Sequence, residues 1–418
     1  MGLFPSYTAY MITKPSNMHA VYPNAVKSVD DPPLLLVLAA PTEGGWCQQL
    51  SEEGYNALHV AYPPVDPTTL QEDLESCGAK IGSAKSGWGL VTYGFNPRDA
   101  PGLLTSNIAL ESLKVCVHYT PQSEIGEDLL AKYQNNKYVP TVIHLSASQA
   151  TLEQSLNTLA EPTKLEYKLL TNEFPPISVF RYEKVGDAPP FPYLSKAPAL
   201  VVAGETFTTD PYVRSATNLS YTRSLEVLKR YMGPHYPFEK LWEKHTYYEF
   251  VERDAPKTMS TMVSTPYVNH ISTMTGGVGF QDLARFYKYH FTKDNVTPPD
   301  TELITVSRTV GADRIIDEMI FKCTHTTEID YFLPGIKPTG KPLEIALVGV
   351  VAFRGDKLTF EHIYWDQASV LVQLGLLETN KGLPIAGVEA ARKVLDPFGM
   401  PSNTLMDKWK ESEGLSID

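Results

Sequence analysis

Apolar and polar positions follow two different rhythms along the chain, and the change falls near residue 234. Before it, short unbroken apolar runs alternate with amphipathic stretches. "LLLVLAA" (34–40) has no polar position, which suits a strand buried on both faces, as in a parallel sheet. "WCQQLSEEGYNALHVAY" then predicts a helix stopped at Gly54, where glycine adopts the left-handed cap conformation freely, and a second buried strand over 55–62. "GWGLVTYG", "LKVCVHYT" and "YVPTVIHLS" predict three more short strands, with helical spacing over 123–134 and 151–159. "NLSYTRSLEVLKRYMG" closes the set, with Leu219, Leu225, Leu228 and Met232 forming a stripe and Gly233 a cap. Such alternation predicts an α/β sheet with crossover helices.

After residue 234 three helical patterns come first. They are "FEKLWEKHTYYEFVER", "DAPKTMSTMV" with Asp254 as cap and Pro256 in the first turn, and "GFQDLARFYKYHF" with Leu283, Phe286, Tyr287 and His290 on one face. His290 suits a helix end, where the dipole favours positive charge. The Gly-rich "MTGGVGF" is read as a turn before the third helix, not as a phosphate loop. From Glu302 onward strands dominate, and "RGDK" predicts a hairpin between the last two. Helices followed by antiparallel strands predict an α+β domain with helices on one curved sheet. The expected division is an extension over 1–30, an α/β domain over 31–233, an α+β domain over 234–380 and a tail over 381–418.

Composition removes several classes of function. A 418-residue chain, 43% hydrophobic and 20% charged, is ordinary globular material with enough length for two or three cores. A net charge of -12 without a Lys/Arg run argues against nucleic acid and anionic membrane as partners. Cys47, Cys77, Cys116 and Cys323 are scattered, so neither a disulfide framework nor a structural zinc site is indicated. The N-terminal segment lacks a basic start and a long apolar core, and no run reaches the roughly 20 apolar residues of a membrane span. The expectation is a cytoplasmic protein.

The first half resembles the dienelactone hydrolase family of the α/β-hydrolase fold. "LSEEGYNALHVAYPP" is similar to that family's helix-Gly-Tyr-strand segment, and "VPTVIHLSA" to the strand before its catalytic acid. A nucleophile elbow needs Ser or Cys on a tight strand-to-helix turn flanked by small residues. The matching stretch here is "WGLVTYGFNP". Gly94 falls at the nucleophile position, Gln149 at the acid position and Asp187 at the histidine position, so all three triad roles are vacant. His118 and His144 are read as strand residues making ordinary hydrogen bonds. The resemblance therefore implies a fold without its chemistry.

In the second half, "LTFEHIYWD" is an apolar strand carrying Glu361, His362 and Asp366. Strict alternation puts Leu358, Phe360, His362, Tyr364 and Asp366 on one face, and the aromatic character of that set predicts that it faces the helices. A carboxylate buried there costs several kcal/mol unless paired, and burial raises its pKa toward that of a working acid–base group. "EHIYWDQASVLVQLG" and "LPGIKPTGKPLEI" resemble SnoaL-like polyketide cyclases, of the cone-shaped α+β nuclear transport factor 2-like superfamily that also holds ketosteroid isomerase and scytalone dehydratase. That resemblance implies Asp366 as general acid/base, with His362 and with His325 of "KCTHTTEID" as its partner, on an aromatic or polyketide-like small molecule. His245 and Glu249, four apart on the first helix, share a face and are candidates for the pocket mouth, with Tyr364 and His270 as further substrate contacts. Convergence of His245, Glu249, His270 and His325 on a metal lacks HExxH or close His–His spacing, so no metal and no cofactor are expected. The function expected is a cyclase, isomerase or dehydratase. The alternatives are a lactone or ester hydrolase and a non-catalytic small-molecule binder. Pairing of exposed sheet faces into a homodimer is compatible with this reading.

Overall fold

The unbroken apolar runs of the first half become strands of one sheet in the computed structural model, which describes residues 10–12, 19–64, 66–81, 84–85, 87–105, 112–170, 174–186, 191–205, 210–378 and 382–417. The chain divides into two units between Tyr236 and Pro237. In the first, the strands are β1 (Tyr10–Ile12), β2 (His19–Tyr22), β3 (Leu34–Ala39), β4 (Asn56–Ala61), β5 (Trp88–Tyr93), β6 (Leu113–Tyr119), β7 (Thr141–Leu145) and β8 (Ile177–Arg181). Their spatial order is β1-β2-β4-β3-β5-β6-β7-β8. Strands β4 to β8 pair in parallel, and β2 joins β4 antiparallel. Among the described residues, α1 (Gly44–Glu52), α2 (Pro67–Ile81) and α3 (Ala150–Leu170) lie between strands, and α4 (Pro211–Met232) follows β8.

The reason for the missing polar positions is now visible. Leu35, Val37 and Ala39 of β3 pack with Trp46 and Leu50 of α1 and with Leu228 of α4. Leu36 and Leu38 pack on the other side with Leu70 and Leu74 of α2 and Leu156 of α3. Both faces are covered, so both must be apolar. Gly54 (φ +103) and Gly233 (φ +71) end α1 and α4 as expected. Two expectations fail. Leu219 is 46% exposed, outside the buried stripe of α4. Residues 123–134 form only a 3-10 turn at Gly126–Leu129, not a helix. There the Ser123 hydroxyl accepts from the Ile125 amide and the Gly126 amide donates to Ser155 Oγ, so side chains take the bonds a helix would need.

The second unit begins with α5 (Phe238–Thr246) and α6 (Ala255–Ser260), capped by Asp254, whose side chain accepts from the Lys257 amide. Then come β9 (Met262–His270), β10 (Thr275–Val278) and α7 (Phe280–Phe286). Four long strands follow: β11 (Glu302–Val310), β12 (Arg314–Thr324), β13 (Pro342–Arg354) and β14 (Lys357–Trp365). The short helices α8 (Gln367–Gln373) and α9 (Glu389–Leu395) end the unit. The sheet order is β10-β9-β14-β13-β12-β11, antiparallel except where β9 runs parallel to β14. The hairpin at "RGDK" pairs Arg354 with Lys357. The "TMV" expected to continue a helix enters β9, and the Gly-rich segment expected as a turn forms β10.

A bulge decides which face of β14 is buried. Ala352 pairs with Phe360 and Phe353 with Leu358, which leaves Thr359 as an extra residue. Parity reverses there, because the side-chain period of a strand is two. Leu358 is buried, but so are Glu361, Ile363 and Trp365, while Tyr364 is 43% exposed. The face expected to meet the helices is the outer one beyond the bulge.

Candidate active site

The site is built from the ends of two helices and the inner face of β14. Both α5 and α7 pass into single π-helical turns, Tyr247–Val251 and Tyr287–Phe291. Such turns are frequent at functional sites, because the extra residue redirects side chains. Here they carry Glu249 and Tyr287. Trp242 fixes α5 on the sheet: its indole donates to Asp317 Oδ2 at 2.9 Å, and Arg308 grips both Asp317 oxygens at 2.7 and 2.8 Å. The Trp242 ring also stacks on His245 at 5.6 Å.

His245 is fully buried and its proton arrangement can be followed. Thr261 Oγ1 donates to the Thr258 carbonyl at 2.7 Å, so it accepts from His245 Nδ1–H at 2.5 Å. The other ring nitrogen, Nε2, meets Glu249 Oε1 at 3.1 Å and Glu361 Oε1 at 3.0 Å. Ionised carboxylates only accept hydrogen bonds, so a neutral ring would turn a lone pair on two acceptors. Burial alone would lower the His245 pKa, but the two carboxylates prevail and raise it to about 10. His245 is therefore an imidazolium at neutral pH.

The carboxylates behave differently from a surface pair. Burial raises the pKa of Glu361, the nearby Glu249 charge raises it further, and His245 pulls it back down. The Tyr287 hydroxyl lies 3.3 Å from His245 Nε2 and donates to Glu361 Oε1 at 3.4 Å; burial and the same carboxylates hold its pKa far above the ordinary value. Next to them His270 is neutral, its pKa lowered to about 4 by burial despite the Glu361 charge. One buried cation thus faces two buried carboxylates, an imbalance that is costly unless a proton or a ligand offsets it.

Glu249 and Glu361 open onto a cavity of about 50 Å³. Its remaining wall is aromatic and aliphatic, with Trp242, Phe250, Phe291, Phe321, Tyr331 and Phe332 prominent. His245 stands behind the carboxylates and is not part of the wall. A groove between α5 and β11 shares Trp242, Thr246, Phe250, Leu303 and Met319 with the cavity and is also lined by Glu239, Glu243 and Arg308.

The sequence-derived candidates are placed as follows. His245 and Glu249 meet at the centre of the site, not at its mouth, and His270 lines the cavity. Asp366 does not line it: the residue is exposed, and its side chain caps α8, accepting from the Ala368 amide at 3.0 Å and from Ser369 Oγ at 2.5 Å. His362 and Tyr364 lie on the outer face of the sheet, where His362 packs with Tyr267 and Phe360. His325 is buried outside the cavity, its Nδ1 beside Thr339 Oγ1 at 3.1 Å. His290 is exposed and pairs with Asp330 at 2.8 Å. Sequence reasoning missed Glu361 and Tyr287 as site residues. The signal for Glu361 was present, a second carboxylate on the same strand, but the bulge concealed its face.

In the first unit Gly94 (φ +68) ends the central strand β5. Gln149 is consumed structurally, accepting from the Ser146 amide and donating to the Pro121 carbonyl. Asp187 lies outside the described residues. His118 bonds Thr92, and His144 lies between Ser224 and Tyr182; burial lowers their pKa values to about 4 and about 3. Tyr93 and Tyr119, at the carboxyl ends of β5 and β6, stack at 4.8 Å, and Tyr193 packs on Tyr93.

Among the described residues, His245, Glu249 and Glu361 form the one group whose nitrogen and carboxylate donors, all within 4.8 Å of one another, are close enough to share a metal ion. The spacing also fits a proton on Nε2. Among the described residues no helix is long and apolar enough to cross a membrane.

No family model matches the chain, and no curated protein does. Solved structures do match about a third of it. A Catenulispora acidiphila protein with a ketosteroid isomerase-like fold, in complex with trimethylamine, is 12% identical over 33% of this chain and 94% of its own, with a TM-score of 0.27. A protein described as a SnoaL-like polyketide cyclase, from a Jannaschia species, is 14% identical over 35% of this chain and 99% of its own, with a TM-score of 0.28. TsrD from Streptomyces laurentii is 14% identical over 34% and 96%, with a TM-score of 0.27.

Proposed function

We propose that the second unit is a cofactor-independent acid–base enzyme acting on a small, largely hydrophobic molecule, of isomerase, cyclase or dehydratase type. The observation that carries this reading is Glu361: a buried carboxylate that faces an aromatic cavity and is held at 3.0 Å by the imidazolium of His245. Burial and the Glu249 charge raise its proton affinity toward the range in which a general acid–base group works. Glu361 takes a proton from a carbon or hydroxyl of the substrate and returns it at another atom. His245 keeps its own proton and holds the carboxylate in place through both states. Tyr287 donates to the same oxygen in the resting site, and once Glu361 takes the proton its one hydroxyl hydrogen turns to developing negative charge on the substrate. The largely apolar wall lowers the local dielectric, which strengthens each of these interactions. The first unit, with glycine at the elbow and Gln149 committed to a loop, serves as a scaffold without hydrolytic chemistry.

The test is deuterium uptake from D2O into a panel of enolisable ketones, with and without an amine substituent, read by mass spectrometry. The wild type should exchange at least one member, and Glu361→Gln should lower that rate by about 10²- to 10⁴-fold. Equal rates in both proteins would overturn the reading.

A further inference from the structure

We infer that the cavity of the second unit takes a small organic cation, an amine carrying hydrophobic substituents, with its ammonium head against Glu249 and Glu361 and its substituents among the aromatic rings. This rests on the acid–base reading only in assigning that cation as the substrate.

The charge on the wall is one-sided. Glu249 and Glu361 line the cavity, and among the described residues no Lys or Arg does. The nearest cation, His245, sits behind the carboxylates and does not reach the open space. Rings make up much of the remaining wall, among them Trp242, Phe250, Phe291, Tyr331 and Phe332. A cation over the face of an aromatic ring is stabilised by the ring quadrupole, more strongly where water is excluded, and carboxylates plus rings is the wall that quaternary and tertiary ammonium groups need. A neutral apolar ligand would use the rings but leave two carboxylates sharing the single charge of His245. An anion would be repelled.

His270 also lines the cavity, and burial lowers its pKa to about 4 despite the Glu361 charge and a hydrogen bond to the Thr275 backbone, so its ring adds no positive charge to the wall.

The adjoining groove carries the same sign. Glu239 and Glu243 flank the groove, and Asp317 lies in its wall. Among the described residues Arg308 is the one cation there, and it is spent: it grips both oxygens of Asp317 and lies 3.2 Å from Glu239 and 3.6 Å from Glu243. A groove of one sign beside a low-dielectric cavity raises the local concentration of the opposite charge.

The experiment compares choline with its uncharged carbon isostere, 3,3-dimethylbutan-1-ol, by calorimetry on the full-length protein. Choline should bind at least about tenfold more tightly, and raised salt should weaken it alone. Glu361→Gln should erase most of that difference. Phe250→Leu, which keeps apolar bulk but removes a ring face, should weaken choline several-fold and the alcohol little, so the inference stays testable if the glutamine variant folds poorly. Equal affinity of the two compounds for the wild type would overturn the inference. So would binding of divalent metal ions alone, which would make the carboxylates a metal site. Binding is read without turnover. Choline binding with no proton exchange on any ketone would sink the acid–base reading alone, and exchange confined to uncharged ketones would sink this one alone.

Discussion

Glu361 Oε1 lies 3.0 Å from His245 Nε2, so the last strand of the second unit and its first helix meet at a buried ion pair. A second carboxylate, Glu249, meets the same nitrogen at 3.1 Å. Taking away the shared cation leaves two carboxylates facing each other in an apolar interior. His245→Gln should therefore destabilise the second unit by about 3–5 kcal/mol, the range for a buried pair that loses one partner. Chemical denaturation followed by Trp fluorescence measures this. A loss under about 1 kcal/mol would show that the cluster is wetter than the geometry indicates.

The same cluster sets a pH dependence. The folded pKa of His245, about 10, is above its ordinary 6.5. A raised pKa means that the folded protein holds a proton the unfolded chain releases. The stabilisation is complete below pH 6.5 and is lost as pH rises toward 10, at up to about 1.4 kcal/mol per pH unit for one proton. Melting of the second unit should fall across that window, and His245→Gln should flatten the slope.

In the first unit the sign reverses. His118 and His144 are buried neutral, with pKa values lowered to about 4 and about 3. The unfolded chain takes up protons on them below pH 6.5 that the folded unit refuses. Stability of this unit should fall as pH drops from 6.5 toward 4, and His144→Gln should reduce that slope. Thermal melts at intervals of half a pH unit resolve the two transitions.

The sequence resemblance of the first half to dienelactone hydrolases implies Gly94, Gln149 and Asp187 at the nucleophile, acid and histidine positions. Fluorophosphonate probes should leave residues 31–233 unlabelled, as read by intact mass. Gly94→Ser should stay unlabelled as well, because Gln149 is committed to Ser146 and Pro121 and no histidine takes the third position. Stoichiometric labelling of either protein would restore the hydrolase alternative.

Much of the architecture was legible in the pattern alone. Continuous apolar strands announced a sheet covered on both faces, and helices followed by long alternating strands announced the second unit. The site was only half legible. His245 and Glu249 were found because four-residue spacing places them on one helix face. Glu361 was passed over for Asp366 because alternation was counted from Leu358, and one extra residue, Thr359, reverses the count. Nothing in the local sequence marks that bulge; it depends on pairing with β13. Tyr287 was recognised as a buried helix position, but the π-helical turn that aims it at Glu361 follows from tertiary packing.

Asp366 and Glu361 make opposite forecasts, and a single comparison separates them. Asp366 caps α8 from an exposed position, so Asp366→Ala should cost about 0.5–2 kcal/mol of stability and leave proton exchange per folded molecule near the wild-type rate. Glu361→Gln should keep a folded second unit and lose about 10²- to 10⁴-fold in exchange.

Deuterium uptake from D2O into an exchanging substrate, measured side by side for wild type, Asp366→Ala and Glu361→Gln with each rate divided by the folded fraction, tests the central claim most directly. The account predicts a near-normal rate for the first variant and a rate lowered at least about 100-fold for the second. A normal rate in Glu361→Gln together with a collapsed rate in Asp366→Ala would contradict it and return the catalytic role to the helix cap.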